Sequence, residues 1–273
     1  METKLVVLDL DGTLLNDAHE ITAETKDYLE KLKSKGIKVV IATGRTFTAA
    51  KRYHNELKLD TPLISCNGGF IYDPIQEKVI DGHAISKATV LKIFKILLEN
   101  NTFFQFYSAD KIYSTEIKYL LEAWTKENKN LEEKDIINIE IIDDPVKVIE
   151  TTNESIFKLL AIEEDPEVYN KLMNSLKTID EIELVSSFTG AIDIMEKGIT
   201  KGMALEFIAN HLNIPMAQTL AIGDNNNDAT MLKAAKIGIA MENATTLAKD
   251  NANELTDTNL NNGVLKALKK HIG

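Results

Sequence analysis

Cysteine is almost missing from this chain. A single one, Cys66, among 273 residues excludes an internal disulfide, and with no CxxC pair or Cys/His cluster nothing points to zinc. Positive charge is short as well: 31 Lys and Arg against 42 Asp and Glu leave a formal net charge of −11. Such a balance argues against a nucleic-acid partner, which needs a basic face to meet backbone phosphates. A local positive pocket for one small anion stays open. Long apolar runs are also absent. No stretch reaches the ~18 residues of a membrane-spanning helix, and METKLVVLDLDG has no separate apolar leader before its first strand. The expectation is a soluble, cytoplasmic protein with no membrane partner, monomeric or weakly self-associating.

What is present is a globular composition, 44% apolar and 27% charged, with length enough for two domains. In the first third, short apolar strands (Leu5 to Leu8, 37–42, 62–66) alternate with amphipathic helices, one of them closed by Gly36. The pattern returns near the end: Thr200 stands as an N-cap, TLAIGD (219–224) and KIGIAM (236–241) read as strands, and VLKALKKHI reads as a closing helix. Continuous apolar strands between helices predict a parallel sheet covered on both faces.

The middle differs. FFQFY (103–107) and KIYST (111–115) flank the turn-like Ser108-Ala109-Asp110, KLLAIEE and IELVSS read as further strands, and Asp165-Pro166 starts a helix. The fold expected is therefore α/β: a Rossmann-like three-layer core from 1–83 and 189–273, with an inserted α+β cap at 84–188 and hinges near 81–86 and 188–192.

Within VVLDLDGTLLN, Asp9 and Asp11 stand two apart where the first strand ends, the edge at which open α/β sheets bind ligands. Gly12 lets the chain turn away. Two carboxylates so close need a cation between them, a shared proton or full solvation, and oxygen ligands of this kind suit Mg²⁺. Asp224 ends a later strand and Asp228 follows one helical turn on. If the two strands are neighbours, Asp224 completes an oxygen-lined metal site. Thr43 and Gly44 sit where a strand hands over to a helix, a place that favours phosphate, and Lys201 opens another helix with a point charge for the same anion. Together these pieces suggest phosphoryl transfer. Asp9 would attack phosphorus, and Asp11 would protonate the leaving alcohol and then activate water.

DLDGTLL (9–15), ATGR (42–45), Lys201 and GDNNND (223–228) resemble, in order, the four motifs of the haloacid dehalogenase superfamily of phosphohydrolases. The placement of the insert and the NGG at 67–69 resemble the Cof-type subfamily with a type IIB cap. The resemblance implies Asp9 as nucleophile and Mg²⁺ ligand, and Asp11 as general acid/base that binds the metal through its carbonyl. It implies phosphate held by the Leu10 backbone, Thr43, Gly44 and Lys201, with Asn227 beside it. Asp224 becomes the third metal ligand, and Asp228 orients Lys201 or a metal-bound water. The implied substrate is a small phosphorylated metabolite such as a sugar phosphate or a flavin or pyridoxal phosphate.

Blander readings stand beside these. Arg45 could reach a substrate or form a surface ion pair. Asn67 could line the cleft or only make a turn before Gly68-Gly69. The aromatic block from Phe103 reads chiefly as cap core, Cys66 as a buried strand-end residue, and the five histidines as surface or helix positions. A phosphomutase shares the nucleophile and metal, and a non-catalytic phosphometabolite sensor shares the pocket.

Overall fold

The computed structural model describes residues 2–273. The N-terminal part runs β1 (Leu5–Leu8), α1 (Ala23–Ser34), β2 (Lys38–Ile41), α2 (Phe47–Glu56), β3 (Leu63–Ser65), β4 (Phe70–Asp73) and β5 (Lys78–Gly82). The inserted part holds α3 (Lys87–Glu99), β6 (Phe103–Tyr107), β7 (Lys111–Ser114), α4 (Leu120–Asn128), β8 (Asn138–Ile141), α5 (Pro145–Thr151), β9 (Lys158–Ile162), α6 (Pro166–Leu176), β10 (Ile182–Val185) and β11 (Ala191–Glu196). The chain then returns through α7 (Lys201–His211), β12 (Thr219–Gly223), α8 (Ala229–Ala234), β13 (Ile237–Ala240), α9 (Thr246–Asp250), β14 (Glu254–Leu255) and α10 (Gly263–Ile272).

The core sheet is parallel, in the order β14-β13-β12-β1-β2, so the two ends of the chain meet at its centre. Leu5 to Leu8 pair in register with Thr219 to Ile222 on one side and with Lys38 to Ile41 on the other. Every β1 side chain is fully buried, as a strand covered on both faces requires. α1 packs on α10, and α7 on α8. The crossovers are anchored locally. Thr22, Thr46 and Thr200 cap α1, α2 and α7 through their hydroxyls, and Gly36 takes a positive φ at the end of α1. The expected neighbours β1 and β12 are adjacent, which sets Asp9 beside Asp224.

The second sheet has the order β10-β11-β9-β6-β7-β8 and is antiparallel except between β7 and β8. The hairpin expected around Ser108-Ala109-Asp110 forms, and Asp165 caps α6 with Pro166 behind it. Alternation divides the aromatic block. Phe104 and Phe106 enter the helix-side core with Phe94, while Tyr107 faces the other way, toward the parallel sheet. The sheet also reaches past residue 188: β11 pairs with β9 and β10. The segment 188–192, expected as a hinge, instead joins two strands of one sheet, because the apolar AIDIM run completes this sheet and not the parallel one. Between the sheets lies an apolar layer in which Phe70 meets Phe157 at 4.9 Å between ring centres.

Candidate active site

β1 ends at Leu8, and the backbone then enters a tight irregular turn through Leu10–Leu14 with Gly12 at φ +77°. A side chain is excluded there twice over. The conformation is one only glycine adopts freely, and a Cβ would stand 2.4 Å from an Asp224 carboxylate oxygen. The turn therefore lays Asp9 and Asp11 against the end of β12.

Asp9 is buried, and its Oδ1 accepts a hydrogen bond of 2.6 Å from the Lys201 ammonium. The same ammonium donates to Asp228 Oδ1, also at 2.6 Å. Asp228 Oδ2 accepts from the backbone N–H groups of Asp224 and Asn225, each at 2.9 Å. Asp228 therefore bonds Lys201 through one oxygen, and through the other it fixes the turn after β12. Asp224 takes its own support from the Thr13 hydroxyl at 2.7 Å.

Ligand oxygens of Asp9, Asp224 and Asp228 lie within 4.8 Å of one another, all three residues buried. Burial and the neighbouring carboxylates raise Asp9 well above the ordinary range and push Asp224 up to about 7. Lys201 is fully buried, and despite that burial the two aspartates hold it firmly charged. Three carboxylates against one ammonium form an oxygen-rich, electron-rich site that fits a hard divalent cation. Asp228 has both oxygens engaged, so Asp9 and Asp224 are the side chains with capacity to ligate.

Asp11 is placed differently. Its side chain points to the rim, half exposed, where Arg45 donates from Nε to Oδ2 at 2.8 Å and from Nη2 to Oδ1 at 2.5 Å. Burial alone would raise its pKa, but the Arg45 charge and hydrogen bonds outweigh this and hold the carboxyl well below the usual range. Arg45 is itself buried, with Nη1 unpaired, and lies 5.3 Å from the centre of the Tyr53 ring. The ion pair expected for Arg45 is present, with its Arg45 side buried, and Arg45 also lines the cavity where a substrate contact was expected. His19 is exposed, as read, and stands 3.7 Å from Asp11 and 3.3 Å from Arg45. His54, a helix position in α2, is buried and bonded to the Thr61 carbonyl.

Thr43 and Gly44 lie at the mouth of α2 as expected. A Cβ on Gly44 would meet Asn67 Oδ1 at 3.0 Å, Lys158 Nζ at 3.3 Å and Asn227 Nδ2 at 3.5 Å, so three polar side chains crowd around this one glycine. Asn67 makes a turn at φ +56°, and its buried side chain accepts from Asn227 Nδ2 at 2.9 Å, behind the residues that line the cavity. Asn227 Oδ1 is left buried without a partner. Cys66 is buried and its thiol pushed up to about 12 by desolvation, which leaves it inert.

Asp9, Asp11, Thr43, Gly44, Arg45 and Asp224 share one cavity of about 430 Å³. The inserted sheet and α4 close its other side with Tyr107, Leu120, Trp124, Lys158, Leu160 and Phe188. Sequence reasoning named none of these six as pocket residues apart from the aromatic block that holds Tyr107.

The profile of the haloacid dehalogenase-like hydrolases matches residues 6–268. A 5-amino-6-(5-phospho-D-ribitylamino)uracil phosphatase of Bacillus subtilis is 28% identical over 271 residues, covering 98% of this chain and 96% of its own. A crystal structure of a haloacid dehalogenase-like hydrolase from B. subtilis superposes with a TM-score of 0.87 at 28% identity, covering 99% of this chain and 100% of its own. A subclass IIB sugar phosphatase shares the fold, with a TM-score of 0.82 at 24% identity over 98% of both chains.

Proposed function

The chain belongs to the haloacid dehalogenase-like hydrolases and is a phosphatase, and from that premise we propose a Mg²⁺-dependent monoesterase that works through an aspartyl-phosphate on Asp9. The observation that carries the reading is the pairing of Asp9 with a fully buried Lys201, next to Asp224 and facing the same cavity as Asp11. A mere binding site gains nothing from packing three buried acids around one lysine.

Asp9 and Asp224 would hold the metal, with the Asp11 carbonyl, and the ion would supply charge neutralisation of the phosphoryl oxygens. Lys201 adds a second positive charge, and Thr43, Gly44 and the Leu10 backbone hold the phosphate. An Asp9 oxygen attacks phosphorus, the ester P–O bond breaks, and Asp11, which must first take a proton against the pull of Arg45, gives that proton to the departing alcohol. Water, deprotonated by Asp11, then displaces Asp9 and releases inorganic phosphate. We place the cap at 84–196, with hinges at 83–86 and 197–200, because β11 belongs to the cap sheet and Gly198, at φ +80°, has open space around it. The substrate is a small phosphorylated metabolite.

The test is phosphate release from a panel of monoesters with Mg²⁺, with EDTA and with Asp9→Asn. Release that needs the metal and Asp9 supports the proposal. Isomerisation without free phosphate would indicate a mutase, and tight binding without turnover a sensor.

A further inference from the structure

Lys158 belongs to none of the motifs, yet it is buried at the centre of the cleft. It opens β9, pairs with the fully buried Asp193 of β11, and crosses to the core to donate to the Gly44 carbonyl at 3.0 Å. Its ammonium also lies 5.1 Å from the centre of the Tyr107 ring. Lys158 is the one partner of the Asp193 carboxylate among the described residues. Burying such a pair is costly. An ammonium has three N–H groups. Asp193 and Gly44 hold two, and the third is left for the cavity that Lys158 lines.

The rest of the cap side is mostly apolar. Tyr107, Leu120, Trp124, Leu160 and Phe188 line it together with one serine, Ser187, and the Tyr107 hydroxyl accepts from the Gln105 amide. A sugar brought here would bury several hydroxyls against few partners, chiefly Lys158, Ser187 and the Tyr107 O–H, at about 1–3 kcal/mol for each hydroxyl left unpaired. A flat ring would instead pack against the aromatic and leucine side chains. Resting on the phosphatase reading, the geometry points to Lys158 as the residue that selects the leaving group. The substrates favoured are phosphate monoesters whose alcohol carries a flat ring with a hydrogen-bond acceptor, which Lys158 meets.

Three esters test this, each with phosphate on a CH₂–O group: pyridoxine 5′-phosphate (flat ring with acceptors), benzyl phosphate (flat ring without) and glucose 6-phosphate (saturated polyol). Acetyl phosphate serves as the ringless control. With Mg²⁺ and the full chain, kcat/KM is expected to fall in that order, pyridoxine 5′-phosphate leading glucose 6-phosphate by about tenfold or more. Lys158→Met should cut the ratio of pyridoxine 5′-phosphate to benzyl phosphate about tenfold, mainly through KM, with Lys158→Arg recovering part of it. If the single variant fails to fold because Asp193 is stranded, Lys158→Met with Asp193→Leu carries the same readout. Glucose 6-phosphate used as well as the ring esters, or an unchanged ratio in the variant, overturns the inference. No hydrolysis of any ester, acetyl phosphate included, would sink the phosphatase reading instead. Quenching of Trp124, the sole tryptophan, by pyridoxine 5′-phosphate but not by glucose 6-phosphate would then still decide for or against the ring site.

Discussion

Arg45 holds Asp11 by both carboxylate oxygens, from Nε at 2.8 Å and from Nη2 at 2.5 Å. A two-point fork of this kind fixes direction as well as charge, and a lysine cannot reproduce it. Asp11 as acid/base matters most when the leaving alcohol is poor. Replacing Arg45 by Gln should therefore lower kcat on alkyl esters by about 10²-fold or more, within the range for one acid/base group. The loss on p-nitrophenyl phosphate, whose leaving group needs no proton, should be much smaller. Arg45→Lys should resemble Arg45→Gln. Equal losses on both ester types would mean that Arg45 serves the fold or the phosphate and not Asp11.

The crowded acids also predict how stability depends on pH and metal. Asp9 and Asp224 titrate above the unfolded value of 3.8, Asp224 at about 7. Over that window the folded protein binds more protons than the unfolded chain, so without metal its stability should fall as pH rises from about 4 to 7. Asp224→Asn removes one of the repelling charges. It should raise Tm at pH 7.5 in EDTA by a few degrees, about 2–4 °C per kcal/mol for a chain near this size, and flatten the pH dependence. Mg²⁺ should raise Tm of the parent protein and do much less for the variant. A variant less stable than the parent in EDTA would show that the Asp224–Thr13 hydrogen bond outweighs the repulsion.

The parts of this site that could be read in advance are those whose signal is local. Asp9 and Asp224 end apolar strands, Lys201 follows an N-cap threonine, and Gly44 follows a strand, so each announces its position within a few residues. Lys158 and Asp193 do not. Lys158 opens the apolar strand KLLAI and Asp193 interrupts AIDIM, which is visible, but their pairing depends on the adjacency of β9 and β11, and no local pattern encodes that. The same non-locality hides that AIDIM joins the second sheet, because an apolar strand does not declare which sheet will receive it. Arg45 and His19 carry no local signal for a related reason. Their meaning comes from Asp11, brought to them by the turn at Gly12.

That turn makes its own prediction. With a positive φ and only 2.4 Å between a Cβ and Asp224 Oδ2, Gly12→Ala must push Asp224 off its place or distort the backbone, at about 1 kcal/mol or more. Thr13 and Asp224 would separate. The expected result is a weaker Mg²⁺ dependence of Tm and a raised metal requirement for turnover, with the fold retained by circular dichroism. An unaltered metal titration would mean that the turn relaxes without moving Asp224.

Lys201 is the remaining test, since it is the only cation bonded to Asp9 and Asp228 among the described residues. Lys201→Met strands two buried carboxylates, Asp9 and Asp228. Removing one member of a buried pair costs about 3–5 kcal/mol, so Tm should fall by roughly 10 °C at the 2–4 °C per kcal/mol of a chain near this size. Mg²⁺ should restore part of that loss, because a divalent ion supplies the missing positive charge to Asp9. Activity should not return with it. A phosphoryl group in the cleft would still lack its fixed ammonium, and loss of one such electrostatic contact costs about 10²–10³ in kcat. Stability restored by metal with activity still down separates the two duties of this lysine, folding and phosphate neutralisation. Recovery of both together would leave it only the first.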